Sequence, residues 1–331
     1  MNRKQLFLIF ISIIWIGCAT KQINQVSFEK YISSLPIPMS DKITFYKDVS
    51  YDTSHATVFD LFIPKSSKNT LLVIFIHGGG FTGGDKTDVY NRGKFTDEII
   101  ALTSKGIAYA TINYRLLGSS DAKNVMSCLN DAKRCLQFIR YHAKDFNIDE
   151  SRIGLYGGSA GAGTSLWLGM SPEMSNSKSS DPVERKSTRV KAVAAYATQA
   201  SYDLSKWDDI FSDYSMTDDE VAKIISHQKI AGFYGIATMN DIETKEIVTM
   251  RKNLDLGALI SADDPPLWIQ NPLKTDQKPS NLNEIYHHYK HGEYLFNLSK
   301  NEGIKVYSKL PAKPLQSENW IELVPFFIKY L

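Results

Sequence analysis

The residues best suited to chemistry lie in Tyr156-Gly157-Gly158-Ser159-Ala160-Gly161, between an apolar run, 152–156, and a small-residue stretch, 160–168. Glycine two positions before and two after a serine fits a sharp strand-to-helix turn. Such a turn exposes the hydroxyl, and the missing side chains let strand and helix nearly touch. The following helix start adds unpaired N–H groups and the positive end of a dipole, both favourable to an oxyanion. Upstream, the apolar run Leu71 to Ile76 is followed at once by His77-Gly78-Gly79-Gly80-Phe81. Three glycines after a buried strand suit a backbone that approaches a ligand and presents N–H groups to it. Either motif alone is compatible with a tight turn. The two in this order point to an activated serine with a main-chain oxyanion site.

With His77-Gly-Gly-Gly-Phe81 and Gly157-Gly-Ser-Ala-Gly161, the chain resembles the α/β-hydrolase superfamily, in its hormone-sensitive-lipase-like esterase branch, over residues 40–331. Tyr114-Arg115-Leu116, the Asp149 to Arg152 link and Asp264-Pro265-Pro266 match the same pattern. The resemblance implies an α/β-hydrolase fold: a mostly parallel eight-stranded sheet, helices on both faces and a helical insertion. It also implies Ser159 as the acyl-accepting nucleophile, Gly79, Gly80 and Ala160 as the oxyanion hole, and no cofactor. The stretch Asp181 to Arg189 and the patch from His287-His288 to Gly292 resemble a divergent subgroup of exported bacterial proteins.

A serine esterase needs a base beside the serine and a carboxylate that orients the base, in the chain order Ser, Asp, His for this fold. The acid is expected after the strand ending near Gln270, where Asp276 is the candidate. Asn271 to Asp276 departs from the family's Gly-x-x-Asp, and a solvated loop aspartate is the alternative. The base is expected after the last strand, yet Leu310 to Asn319 contains no histidine and none follows His291. His77 belongs to the glycine loop, His55 to an early turn, His142 to a helix end and His227 to the insertion. His287 and His288 are therefore the candidates for the base, with simple helix packing as the alternative. His287 and His291 are spaced i, i+4 on a helix expected over 283–300, but His288 stands where metalloprotease chemistry needs Glu, and no metal is expected.

The elements that must position these groups follow from pattern. Residues 42–47 and 57–63 read as a hairpin, and 71–76, 107–113, 190–196, 264–270 and 304–309 as further strands. Helices are expected over 95–104, 124–143 and 320–331. Strands alternating with helices at this spacing argue for a mainly parallel sheet. The polar segment 171–188 is a long loop, functional or mobile. Residues 207–257 are taken as a cap-like insertion over the pocket. Cys128 and Cys135 are two helical turns apart, beyond disulfide reach, and read as buried apolar groups.

The chain has 331 residues, 43% of them apolar, which suits one large domain over residues 41–331. A formal net charge of +2 gives no sign of nucleic-acid binding. Residues 1–18 carry Arg3 and Lys4, a short apolar stretch from Leu6 to Ile16, and Cys18. They resemble a lipoprotein-type signal peptide, with Cys18 as the lipidation site and 19–40 as a tether. An exported protein is expected, lipid-anchored to the cell envelope or periplasmic. Its expected partner is a small or glycan-linked ester. Two functional classes stand: a serine carboxylesterase acting through Ser159, or a catalytically weak or inactive binding protein on the same fold.

Overall fold

The structure is a computed structural model that describes residues 27–331, apart from 92, 313, 314 and 318. The expected signal peptide and Cys18 lie outside the described residues. In chain order the strands are β1 (Ile32–Ser33), β2 (Ile43–Ser50), β3 (Val58–Pro64), β4 (Thr70–Ile76), β5 (Ile107–Ile112), β6 (Ile148–Gly158), β7 (Ala192–Tyr196), β8 (Leu267–Gln270), β9 (Val306–Leu310) and β10 (Leu315–Gln316). The helices are α1 (Gly93–Ser104), α2 (Val125–Tyr141), α3 (Ala160–Met170), α4 (Trp207–Ile210), α5 (Asp218–Ile225), α6 (His227–Tyr234), α7 (Lys245–Asn253), α8 (Leu282–His287), α9 (Tyr289–Asn301) and α10 (Leu323–Tyr330).

Among the described residues, ten strands form one sheet in the order β1-β2-β3-β5-β4-β6-β7-β8-β9-β10. The run from β5 to β9 is parallel; β1, β2, β3 and β10 pair antiparallel at the two edges. The eight strands expected are the inner ones, and two-residue strands extend each edge. The central strands are apolar on both faces because helices cover both. Along β4, Leu72, Ile74 and Ile76 pack with α2 and α3, whereas Val73 and Phe75 pack with α1 and α10. This is the α/β-hydrolase architecture, with extra helices between β7 and β8.

Two elements differ from expectation. The helix expected over 283–300 is broken at His288, whose backbone is extended at φ −57° and ψ 143°. The Asn271 amide donates to the His288 carbonyl at 3.1 Å, and the Lys290 N–H donates to His288 Nδ1. His288 thus caps α9 instead of continuing α8, so His287 and His291 do not share one helical face. The loop 171–188 is also tied down. Glu173 accepts from Thr188 and Ser187, and Gln137 donates to the Glu184 and Lys186 carbonyls at the far end of α3 from Ser159. Burial pushes the Glu173 pKa up, but these hydrogen bonds outweigh it and hold the carboxyl down at about 2. Cys128 and Cys135 are buried free thiols in α2.

Candidate active site

Ser159 sits between β6 and α3 with φ 52° and ψ −119°, an unusual conformation for a non-glycine residue and strained by about 1–3 kcal/mol. Neighbouring contacts hold it there. Its N–H donates to the Tyr196 carbonyl at 2.9 Å, and its carbonyl accepts from the Gly163 N–H at 3.1 Å. The flanking glycines have no room for a side chain. A Cβ on Gly161 would lie 1.9 Å from the Ile76 carbonyl oxygen, and one on Gly157 would lie 2.1 Å from the Gly161 carbonyl oxygen. Strand and helix therefore meet backbone to backbone, and the hydroxyl is left at the carboxyl end of the sheet.

The glycine loop arrives beside it from β4. Gly79, Gly80 and Phe81 all have positive φ, at 100°, 61° and 63°. The loop closes on itself, with the N–H groups of Thr82 and Gly83 both donating to the Gly79 carbonyl. Tyr114 braces its start: the ring stacks on His77 at 4.4 Å, and the hydroxyl donates to the His77 carbonyl at 3.0 Å. Downstream, the buried Lys86 ammonium lies 2.8 Å from each of Asp48 and Asp60 and fixes the exit of the loop. Among the described residues, neither Gly79 nor Gly80 donates its N–H to an acceptor. Ala160 opens α3, so its N–H is one of those a helix leaves unpaired. All three residues border cavities that contain Ser159.

One histidine lies beside the serine. Ser159 Oγ lies 2.9 Å from His287 Nε2, at the end of α8. His287 Nδ1 lies 3.0 Å from Asn283 Oδ1, one helical turn earlier. Burial lowers the His287 pKa, and a hydrogen bond to the Asn283 backbone acts in the opposite direction. The imidazole is consequently biased towards the neutral form, in which Nε2 can accept the serine proton.

The other candidates lie elsewhere. His288 is fully buried, with Nε2 3.0 Å from the Gln277 carbonyl and its ring against Phe211 and Tyr214. His291 is buried too, its nitrogens engaged by the Ile285 carbonyl and the Ala200 N–H, and burial pushes its pKa down to about 3. Asp276 has no hydrogen bond to a histidine among the described residues. Its carbonyl accepts from the Tyr214 hydroxyl, and its charge is felt at His288. His55 and His227 are exposed, and His142 pairs with Asp145 at 2.8 Å. Ser159 and His287 are thus brought together; Asp276 and His288 are not brought to them. Asn283 is not the carboxylate that the chemistry leads one to expect, and its one signal in the sequence is the four-residue spacing before His287.

Two cavities flank Ser159. The larger, about 540 Å³, is walled by Phe81, Tyr202, Trp207, Ile230, Phe233 and Tyr286 among others, so the segment between β7 and β8 supplies much of its apolar lining. The smaller, about 300 Å³, holds His77, Asp88, Tyr196 and His287. The insertion is fastened to the body by Arg251 to Asp203 at 2.9 Å and by the Tyr234 hydroxyl to the Tyr202 carbonyl at 2.7 Å. Among the described residues, no three His, Cys, Asp or Glu side chains converge to hold a metal ion, and no helix is long and apolar enough to cross a membrane.

Comparison with known proteins agrees with this architecture. The profile of the BD-FAE family matches residues 59–273. Gut esterase 1 of Caenorhabditis elegans is 29% identical over 130 residues, which are 37% of this chain and 22% of that protein. The chain therefore aligns with about a fifth of that relative's length. Among solved structures, an acetyl ester-xyloside bifunctional hydrolase from Caldicellulosiruptor lactoaceticus superposes with a TM-score of 0.54 at 22% identity, covering 76% of this chain and 77% of that one. A carbohydrate esterase from gut microbiota, in truncated form, gives 0.56 at 18% identity, covering 86% and 89%. At these identities the structural likeness concerns the fold.

Proposed function

The chain belongs to the BD-FAE family, and from that membership we propose that it is a serine hydrolase cleaving carboxylic esters through an acyl-enzyme on Ser159. The observation that carries this reading is the 2.9 Å separation of Ser159 Oγ and His287 Nε2. Ser159 attacks the ester carbonyl as its proton passes to His287. The oxyanion that develops is held by the N–H groups of Gly79, Gly80 and Ala160, fixed in advance by the strained loop and the helix start. The imidazolium then returns the proton to the leaving alcohol. A water, deprotonated by the same histidine, releases the acid and frees the serine.

In this proposal residues 207–257 act as a cap that shapes the larger cavity. The substrate is a small or glycan-linked ester; the names of the acetyl ester-xyloside hydrolase and the carbohydrate esterase support that class. The hormone-sensitive-lipase-like branch rests on the motifs, and export with lipidation at Cys18 rests on residues 1–18. Replacing Cys18 by alanine should move the protein from the membrane to the soluble fraction.

The test is hydrolysis of short acyl esters by the parent and by Ser159→Ala. The proposal expects turnover in the parent and a fall of at least about 10³-fold in kcat for the variant. A parent with no turnover would favour a non-catalytic binding protein, and a variant as active as the parent would exclude Ser159 as the nucleophile.

A further inference from the structure

The relay has a feature that the serine-hydrolase reading does not require. The group facing His287 Nδ1 is an amide, and it comes from the helix that carries the histidine. Asn283 and His287 are four residues apart on α8, so one helical turn places both side chains on one face. With Nε2 directed at Ser159 Oγ, the proton of a neutral imidazole sits on Nδ1, and Asn283 Oδ1 lies 3.0 Å away to accept it. Among the described residues no carboxylate hydrogen-bonds His287 Nδ1: Asp276 lies by Tyr214 and His288, and the Glu284 carboxylate accepts from Ser280. We propose that Asn283 is the positioning residue of the relay, orienting His287 by a neutral hydrogen bond where the fold ordinarily uses a carboxylate. The inference rests on the Ser159–His287 reading.

The physical consequence is specific. An amide acceptor fixes tautomer and ring orientation as a carboxylate does, but it adds no negative charge to stabilise the imidazolium formed during attack. Proton transfer is therefore set by geometry and not by a buried ion pair. The break at His288 makes the arrangement possible. It ends α8 at His287 and turns His288 away toward Gln277, while Asn281 caps the start of the helix by accepting from the Glu284 N–H. The ionisable groups facing His287 are His77, Asp88 and Tyr196 across the smaller cavity, with Lys94 lying 3.6 Å over the Tyr196 ring. His291 stands behind it on α9, and Glu284 and His288 are its neighbours in the chain. All of these are unchanged in the variants below, so a difference between variants reports residue 283. Asn283 is exposed, and its replacement leaves the core intact.

The experiment measures the second-order rate of reaction with a fluorophosphonate between pH 5 and 9, for the parent, Asn283→Ala, Asn283→Asp and His287→Ala. The expected result is a loss of roughly 100-fold in Asn283→Ala from misplacement of the imidazole. Asn283→Asp should keep or exceed the parent rate, and the acid limb of its profile should move to higher pH by about one unit, because a carboxylate at Nδ1 favours the imidazolium. Asn283→Ala with the rate and profile of the parent would overturn the proposal, as would an Asn283→Asp profile that does not move. If His287→Ala is also as reactive as the parent, or the parent itself is inert, the Ser159–His287 reading falls with it; a reactive parent and an inert His287→Ala confine the failure to Asn283.

Discussion

Ser159 and His287 bear opposite marks of the same task. The serine is held at φ 52° by its bonds to Tyr196 and Gly163, so strain is spent on placing one oxygen. The histidine is partly buried, and burial lowers its pKa, which keeps Nε2 ready to accept a proton over more of the range below the usual histidine value. The sharp turn at Ser159 was legible in the sequence because its constraint is carried by neighbours in the chain: two glycines fixed at two-residue offsets. His287 and His288 were not separated in the sequence, because which of two adjacent side chains faces the serine depends on where a helix breaks. That break is made by Asn271, distant in sequence, taking the His288 carbonyl. The acceptor on Nδ1 is not legible in the sequence for a simpler reason: the chemistry leads one to expect Asp or Glu, and the residue present is Asn.

At the scale of elements, the site depends on three backbones approaching one another: the end of β4, the end of β6 and the start of α3. Gly161 is the point of closest approach, and the atoms a side chain would meet there, the Ile76 and His77 carbonyl groups, belong to the backbone and cannot swing aside. Gly161→Ala should therefore destabilise the fold by roughly 3–5 kcal/mol, read as a lowered denaturant midpoint. An unfolding free energy within about 0.5 kcal/mol of the parent would contradict the backbone-to-backbone picture. Strand positions were largely legible because apolar runs bounded by Pro, Gly and Asn are local signals. The short edge strands β1 and β10 were not, since two paired residues leave no periodicity. The segment 207–257 was expected as a cap-like insertion; its four helices take their positions from contacts such as Arg251 with Asp203 and Tyr234 with Tyr202, which no local pattern announces.

For the molecule as a whole, one buried carboxyl should contribute a pH effect on stability separate from the relay. Glu98 on α1 lies in the layer under β6; burial raises its pKa to about 7, against smaller lowering effects of Lys94 and a Tyr156 hydrogen bond. A carboxyl whose folded-state value is raised contributes no penalty below its unfolded value near 4.5 and a growing one as pH rises from there to about 7. Stability should fall across that window by on the order of 2–3 kcal/mol from this residue. Denaturant titrations of the parent and Glu98→Gln at pH 5 and pH 8 check it. The account expects the variant to gain on the parent between the two pH values, whereas parallel behaviour would contradict it. The two apolar layers that bury Glu98 on one side and support α3 on the other were anticipated from the strand and helix pattern, because layers follow from composition and period. The approach of Ser159 to a histidine 128 residues further along the chain could come only from the assembled sheet.

The central claim is that His287 activates Ser159. Intact-protein mass measurement after brief exposure to a fluorophosphonate tests it most directly, comparing the parent with Ser159→Ala, His287→Ala and His288→Ala. The account predicts one adduct on the parent, located at Ser159, none on Ser159→Ala, labelling slowed at least about 100-fold in His287→Ala, and labelling preserved in folded His288→Ala. An unlabelled parent, or His287→Ala labelled as fast as the parent, would contradict it.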